Sequence, residues 1–265
     1  MGTPRPYVLR RGSGVPLLFV HGNGVDHRMM LDLDDAFGDG WERIYLDLPG
    51  FGGTVALDAP GGLPELADWL DRMAAELIGS APFAVVGTSL GALLARELAA
   101  RRPQRCLGMA LLAPVVDSVP ENRTLPEPVV LVTDPVLLSS LPEPDALAYA
   151  ELAVVQSPEN WERYRDVVSP GQKVADEAAM ERLWQRYALP SSPDEGPVGY
   201  HRPVLLVTGR QDAVVGFAGQ WRLGQHFPHA SYALLDRAGH NIQVDQPQLV
   251  RQLLRSWAAD VLESR

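Results

Sequence analysis

Short runs of Val, Leu and Ile alternate along this chain with longer segments of helical period, and no other feature narrows the available folds as much. Strands buried on both faces, separated by amphipathic helices, make a mainly parallel sheet with helices on both sides. The strands are expected at Tyr7 to Arg10, Val15 to Val20, Arg43 to Leu46, Phe83 to Val86, Leu107 to Leu112, Val204 to Val207 and Tyr232 to Leu235. Gly12-Ser13-Gly14, between the first two, has the composition of a hairpin turn, so the sheet is expected to open with an antiparallel edge. Leu63, Leu66, Leu70, Met73 and Leu77 form one helical stripe, with Pro64 suited to its first turn and Gly79 to its stop. Leu249, Val250, Leu253, Leu254, Trp257 and Val261 form another. Both stripes are core-packing signals.

Between Ser118 and His201 the alternation fails. This segment holds 11 of the chain's 23 prolines and no recognisable strand, so it reads as a helical lid (118–201) inserted into an α/β core made of residues 1–117 and 202–265. It carries 14 acidic against 6 basic residues, which places most of the chain's net charge of -10 in the lid. Its aromatic residues, Tyr149, Trp161, Tyr164, Trp184, Tyr187 and Tyr200, either line a pocket over the sheet or form the lid's own small core.

The acidic balance argues against nucleic acid and anionic membrane surfaces as partners and leaves a small molecule as the expected one. Oligomeric state does not follow from the sequence. No apolar run is long enough for a signal-peptide core or a bilayer span, so a cytoplasmic location is expected. Cys106 is the only cysteine and lies beside the apolar run Leu107 to Ala113, a setting for packing rather than chemistry. No metal site and no cofactor are expected: His226 and His229 bracket Phe227-Pro228 away from other ligand types, and neither a dinucleotide fingerprint nor a phosphate-binding loop occurs.

The chemistry is concentrated at strand ends. Phe83-Ala84-Val85-Val86 runs into Gly87-Thr88-Ser89-Leu90-Gly91 and then into a good helix, so Ser89 sits on a tight strand-to-helix turn. Such a serine is strained and projects above the sheet, and its neighbours must be glycine where strand and helix leave no room for side chains. A serine hydroxyl needs a base, and the base needs a partner that holds its tautomer. His240 follows the strand Tyr232 to Leu235, and Asp212 follows the strand Val204 to Val207. In a parallel sheet, residues just past the carboxyl ends of strands share one crevice. Ser89, Asp212 and His240 are therefore the expected catalytic set. The amides of Leu90 and Asn23 are the expected oxyanion donors, with Gly24 the alternate to Asn23. His21 reads as a support for that loop, and Asp26, His27 and Arg28 as the start of a helix near the pocket rim.

Taken together, His21-Gly22-Asn23-Gly24, Asp47-Leu48-Pro49-Gly50-Phe51-Gly52, the turn at Ser89, Gly209-Arg210-Gln211-Asp212 and Gly239-His240 resemble the α/β-hydrolase superfamily across nearly the whole chain except the lid. The resemblance implies an eight-stranded sheet, a lid after the sixth strand and no cofactor. It implies a serine hydrolase acting on an ester or related acyl bond, of carboxylesterase, lactonase or thioesterase type. C–C bond hydrolases, cofactor-free haloperoxidases and non-catalytic ligand receptors keep the same residues and remain open. Asp117, past an earlier strand, is a rival acid, since some family members place theirs there; the Gly209-Arg210-Gln211 lead-in favours Asp212. The sequence departs from the commoner family pattern at Ala92, after the second elbow glycine, and at Gly53-Thr54.

Overall fold

The computed structural model describes residues 3–193 and 200–264. Residues 194–199, which include the acidic pair Asp194 and Glu195 of the inserted segment, lie outside the described residues. Among those described, seven strands form one sheet: β1 Val8–Gly12, β2 Gly14–Val20, β3 Gly40–Leu46, β4 Phe83–Thr88, β5 Cys106–Leu112, β6 Val204–Gly209 and β7 Ala230–Leu235. The helices in chain order are α1 Arg28–Leu31, α2 Leu63–Ile78, α3 Leu90–Arg101, α4 Pro135–Ser140, α5 Glu143–Leu152, α6 Pro158–Val167, α7 Ser169–Gln172, α8 Glu177–Gln185, α9 Ala218–Gly224, α10 Ile242–Asp245 and α11 Pro247–Glu263.

The strand order is β1-β3-β2-β4-β5-β6-β7, and every pairing is parallel except that of β1 with β3. Two expectations are thereby corrected. The Gly12-Ser13-Gly14 turn does not close a hairpin, because β2 skips past the edge strand and inserts between β3 and β4. Burial explains the choice: Leu17 to Val20 are wholly buried and need neighbours on both sides, whereas β1 carries Arg10 and Arg11 and suits an edge. The eighth strand is also missing from the described residues. Residues 3–7 form no ladder, since Pro4 and Pro6 offer no amide donors and the Pro4 carbonyl accepts from Trp69 Nε1 at 2.9 Å. The insertion consequently follows the fifth strand present rather than a sixth.

Alternate residues of the central strands feed two cores. Leu18, Val20, Val85, Met109, Leu111 and Leu206 face α2 and α3, where Leu66, Leu70, Met73, Leu94 and Leu98 pack against them. Leu17, Phe19, Val86, Leu112, Leu205 and Val207 face the other way, under Val250, Leu254, Trp257 and Val261 of α11. The stripes legible in the sequence thus cover opposite faces of one sheet.

The segment between β5 and β6 holds α4 to α8. Tyr149, Trp161 and Tyr164 pack on one another, with ring centroids 5.3 to 5.9 Å apart, and are buried in the cluster that continues into the core under α11. Trp184 stacks on Tyr187 at 4.8 Å and remains 52% exposed. Of the two roles open to these rings, the first three adopt packing. No helix among the described residues is long and apolar enough to cross a membrane.

Candidate active site

β4 ends at Thr88 and α3 begins at Leu90, leaving Ser89 alone on the turn with φ 52° and ψ -116°. A non-glycine residue holds that conformation only when its surroundings over-determine it. Here the Ser89 amide donates to Leu112 O at 2.9 Å, and its carbonyl accepts from the amides of Ala92, Leu93 and Val115. The flanking glycines are required by space. A Cβ on Gly91 would lie 2.1 Å from Val20 O, and one on Gly87 would lie 2.4 Å from Gly91 O. Ala92 is accommodated in the core with no exposed surface.

Asp212 is fully buried at the turn after β6. Its Oδ1 accepts from the amides of Val214 and Val215 at 2.9 and 3.0 Å, which leaves Oδ2 free to face His240 Nδ1 at 2.9 Å. His240 Nε2 lies 2.9 Å from Ser89 Oγ. A carboxylate only accepts, so the imidazole proton sits on Nδ1 and Nε2 accepts the Ser89 hydroxyl. The turn and the histidine loop are further stitched together by Gln211, whose amide donates to Ala238 O while its Oε1 accepts from Ala238 N. Asp117 lies elsewhere: its Oδ1 accepts from the Val119 amide at 2.8 Å, in a local turn.

The loop after β2 runs past the elbow, since a Cβ on Gly22 would come 3.4 Å from Ser89 Cβ. This brings the Asn23 stretch beside the start of α3, where the amide of Leu90 has no acceptor within its own helix. His21 supports the loop from within: Nδ1 donates to Gly22 O at 2.7 Å, and Nε2 accepts from the Leu48 amide at 2.9 Å. Burial lowers its pKa, opposed by the Gly22 carbonyl and the nearby carboxylates.

Asp26, His27 and Arg28 do lead into α1, but their side chains are spent on the scaffold. Arg28 pairs with both Asp26 oxygens and reaches the Pro170 carbonyl of the insertion. His27 donates through its amide and Nδ1 to Asp47 Oδ1, while Asp47 Oδ2 accepts from the Gly53 amide. Burial alone would raise the Asp47 carboxyl, yet these donors hold it below its ordinary value. Asp26, His27 and Asp47 are close enough together to hold a cation, but these partners already use their ligand atoms. Cys106 is buried, which pushes its thiol up to about 11, against a contact from the Tyr200 hydroxyl at 3.2 Å. That is packing, and no nucleophile is on offer there.

A cleft of about 230 Å³ opens beside His240, walled by Val129, Val130, Leu152, Val154, Ala213 and Val214. Two residues near the site carry no motif in the sequence: the buried Asn160 on α6 and the half-buried Asp245 on α10 are joined by a 2.9 Å hydrogen bond. Ser157, which caps α6, marks where that helix begins but gives no sign of what Asn160 meets.

A model of the alpha/beta hydrolase fold family matches residues 15–247. The chain is 28% identical over 260 residues to the dihydrolipoyllysine-residue acetyltransferase component of the acetoin cleaving system of Pseudomonas putida, covering 92% of this chain. It spans only 64% of that relative's length. It is 22% identical over 265 residues to the (E)-2-((N-methylformamido)methylene)succinate hydrolase of Acinetobacter baylyi, covering 95% of this chain and 93% of that protein. Among solved structures, an alpha/beta superfamily hydrolase from Oenococcus oeni superposes with a TM-score of 0.89 at 24% identity, over 97% of this chain and 99% of the other.

Proposed function

This chain belongs to the alpha/beta hydrolase fold family, and on that footing we propose that it is a serine hydrolase cleaving an ester or related acyl bond through an acyl-enzyme. Ser89 attacks the carbonyl carbon as His240 Nε2 takes its proton. The imidazolium, stabilised by Asp212, then protonates the departing group, and water releases the acyl group by the same route in reverse. The amides of Leu90 and Asn23 receive the oxyanion at the positive end of α3. The inserted segment acts as a lid, and the apolar cleft beside His240 suits an alkyl or aryl portion of the substrate.

The observation that carries this reading is the relay Asp212 Oδ2, His240, Ser89 Oγ, with 2.9 Å at each contact. The strained backbone of Ser89 supports it, because strain of that kind persists where a side chain must be aimed. One relative spanned over nearly its whole length is named a hydrolase, which favours water as the acyl acceptor. The test is labelling with a fluorophosphonate probe, followed by turnover of activated esters of increasing acyl length. Ser89 should be the sole labelled serine and should support turnover. Labelling that persists in Ser89→Ala removes the nucleophile assignment, and ligand binding without turnover of any ester converts the reading to a receptor.

A further inference from the structure

We propose that Asp245 is a positioning residue for the histidine loop, tying the Gly239 amide to Asn160 of the inserted helix α6, so that lid and His240 are set by one carboxylate. The functional part of this proposal rests on His240 being the base.

Asp245 is the last residue of α10, five positions beyond His240. Its two oxygens serve different segments: Oδ2 accepts from Gly239 N at 2.8 Å, and Oδ1 accepts from Asn160 Nδ2 at 2.9 Å. Gly239 is the residue before His240, so whatever holds its amide holds the imidazole's point of attachment. Asn160 is itself fixed, being 3% exposed with its amide bonded to the capping Ser157 Oγ. A second tie runs parallel, from Arg163 Nε on α6 to Val244 O at 2.8 Å. Packing closes the arrangement, since a Cβ on Gly239 would stand 2.7 Å from Val154 Cγ2 of the insertion. A histidine that must meet Ser89 Oγ at 2.9 Å tolerates little drift, and a misplacement of about 1 Å costs on the order of 100-fold.

Burial pushes the Asp245 carboxyl up to about 6, against the pull of the Gly239 amide, the Asn160 side chain and Arg163; Asp212 adds to the rise. The groups around it are Asn160 and Arg163 from α6, Tyr149 from α5, Asp212 from the turn after β6, and the Gly239 amide from the histidine loop. Because the folded value is raised, this group's contribution to stability is present below the ordinary carboxyl range and is lost as pH rises through about 6. Ionising the carboxylate at pH 7 therefore costs folding free energy, which the Gly239 amide and the Asn160 side chain offset in part.

The test is a pair of variants. In Asn160→Leu the donor facing Asp245 Oδ1 is gone and no amide flip can replace it, so the link breaks. Turnover of p-nitrophenyl acetate at pH 7 should fall by about 10- to 100-fold with KM within about twofold, in protein that still unfolds cooperatively. Combining Asp245→Asn with Asn160→Asp restores a donor facing an acceptor and should recover turnover to within about threefold. Full activity in the single variant overturns the proposal, as does a double variant no better than the single. A readout independent of turnover is the ¹³C carboxyl titration of Asp245, whose midpoint should rise in Asn160→Ala as a donor to the ionised form is lost. An unmoved midpoint overturns the link. A moved midpoint in a parent protein that neither turns over esters nor labels at Ser89 upholds the link and defeats the hydrolase reading alone.

Discussion

The Leu48 amide donates to His21 Nε2 at 2.9 Å, and both residues are sealed from water. The contact joins the Asp47-to-Gly52 motif to the loop that carries Asn23, and it works only with a neutral ring. A protonated His21 would set a donor against the Leu48 donor. In the unfolded chain the imidazole titrates near 6.5, whereas burial lowers its folded value. The stability His21 contributes is thus present above about pH 6.5 and lost as pH falls toward the lower folded value. His21→Gln should cost about 1–3 kcal/mol at pH 7 and flatten the decline in unfolding free energy between about pH 7 and 5. Denaturant unfolding at a series of pH values measures both, and a variant profile that parallels the parent's excludes His21 as the source of that decline.

Ser89 occupies a backbone conformation that glycine adopts at no steric cost. Two inactive variants separate aim from strain. Ser89→Gly should exceed Ser89→Ala in stability by about 1 kcal/mol or more, the relief outweighing glycine's greater unfolded-state entropy. Equal unfolding midpoints would mean that the turn is relaxed.

The choice between carboxylates follows from which one meets the imidazole. Asp212→Asn keeps size and preserves an acceptor for the Val214 and Val215 amides, but it no longer fixes the tautomer or stabilises the imidazolium. In the serine-protease precedent that loss is about 10⁴-fold in turnover. Asp117→Asn alters only a local turn and should stay within about tenfold. Steady-state kinetics on folded proteins decide, and the reverse ranking transfers the acid role to Asp117.

Within the insertion, Trp161 and Trp184 should behave differently. Trp161 is 8% exposed in the cluster with Tyr149 and Tyr164, so Trp161→Ala should lower stability by about 3–5 kcal/mol. Trp184 is half in solvent, and Trp184→Ala should stay within about 1 kcal/mol. Thermal or denaturant unfolding of the pair tests this, and similar losses in both would place Trp184 in an unseen contact.

The strands, the elbow and the two later loops were legible because each is a local pattern: an apolar run, a glycine-flanked serine, a polar residue past a strand end. What escaped reading depends on encounters between distant segments. Nothing in Val8 to Gly12 says that its partner is β3 rather than β2, since that choice is made by how deeply β2 must be buried. The prolines at positions 4 and 6 were visible, yet the resemblance suggested a strand that they do not support. His27 and Asp47 were each noticed in separate motifs, and only the fold brings them to 2.7 Å. Asn160 and Asp245 are 85 residues apart in unremarked helices, and a side-chain amide meeting a carboxylate leaves no periodic trace.

The insertion divides the proposed machinery in time as well as in space. Ser89 and the oxyanion loops precede it, whereas Asp212 and His240 follow it, and His240 meets a serine made 151 residues earlier. During synthesis from the amino end, β2 to β5 are available to assemble while the serine still lacks its base. On the proposed assignment its hydroxyl remains an ordinary alcohol until β6 and β7 are added to the sheet and bring Asp212 and His240 with them. On the proposed mechanism, reactivity is thereby reserved for a chain that has added β6 and β7 to the sheet.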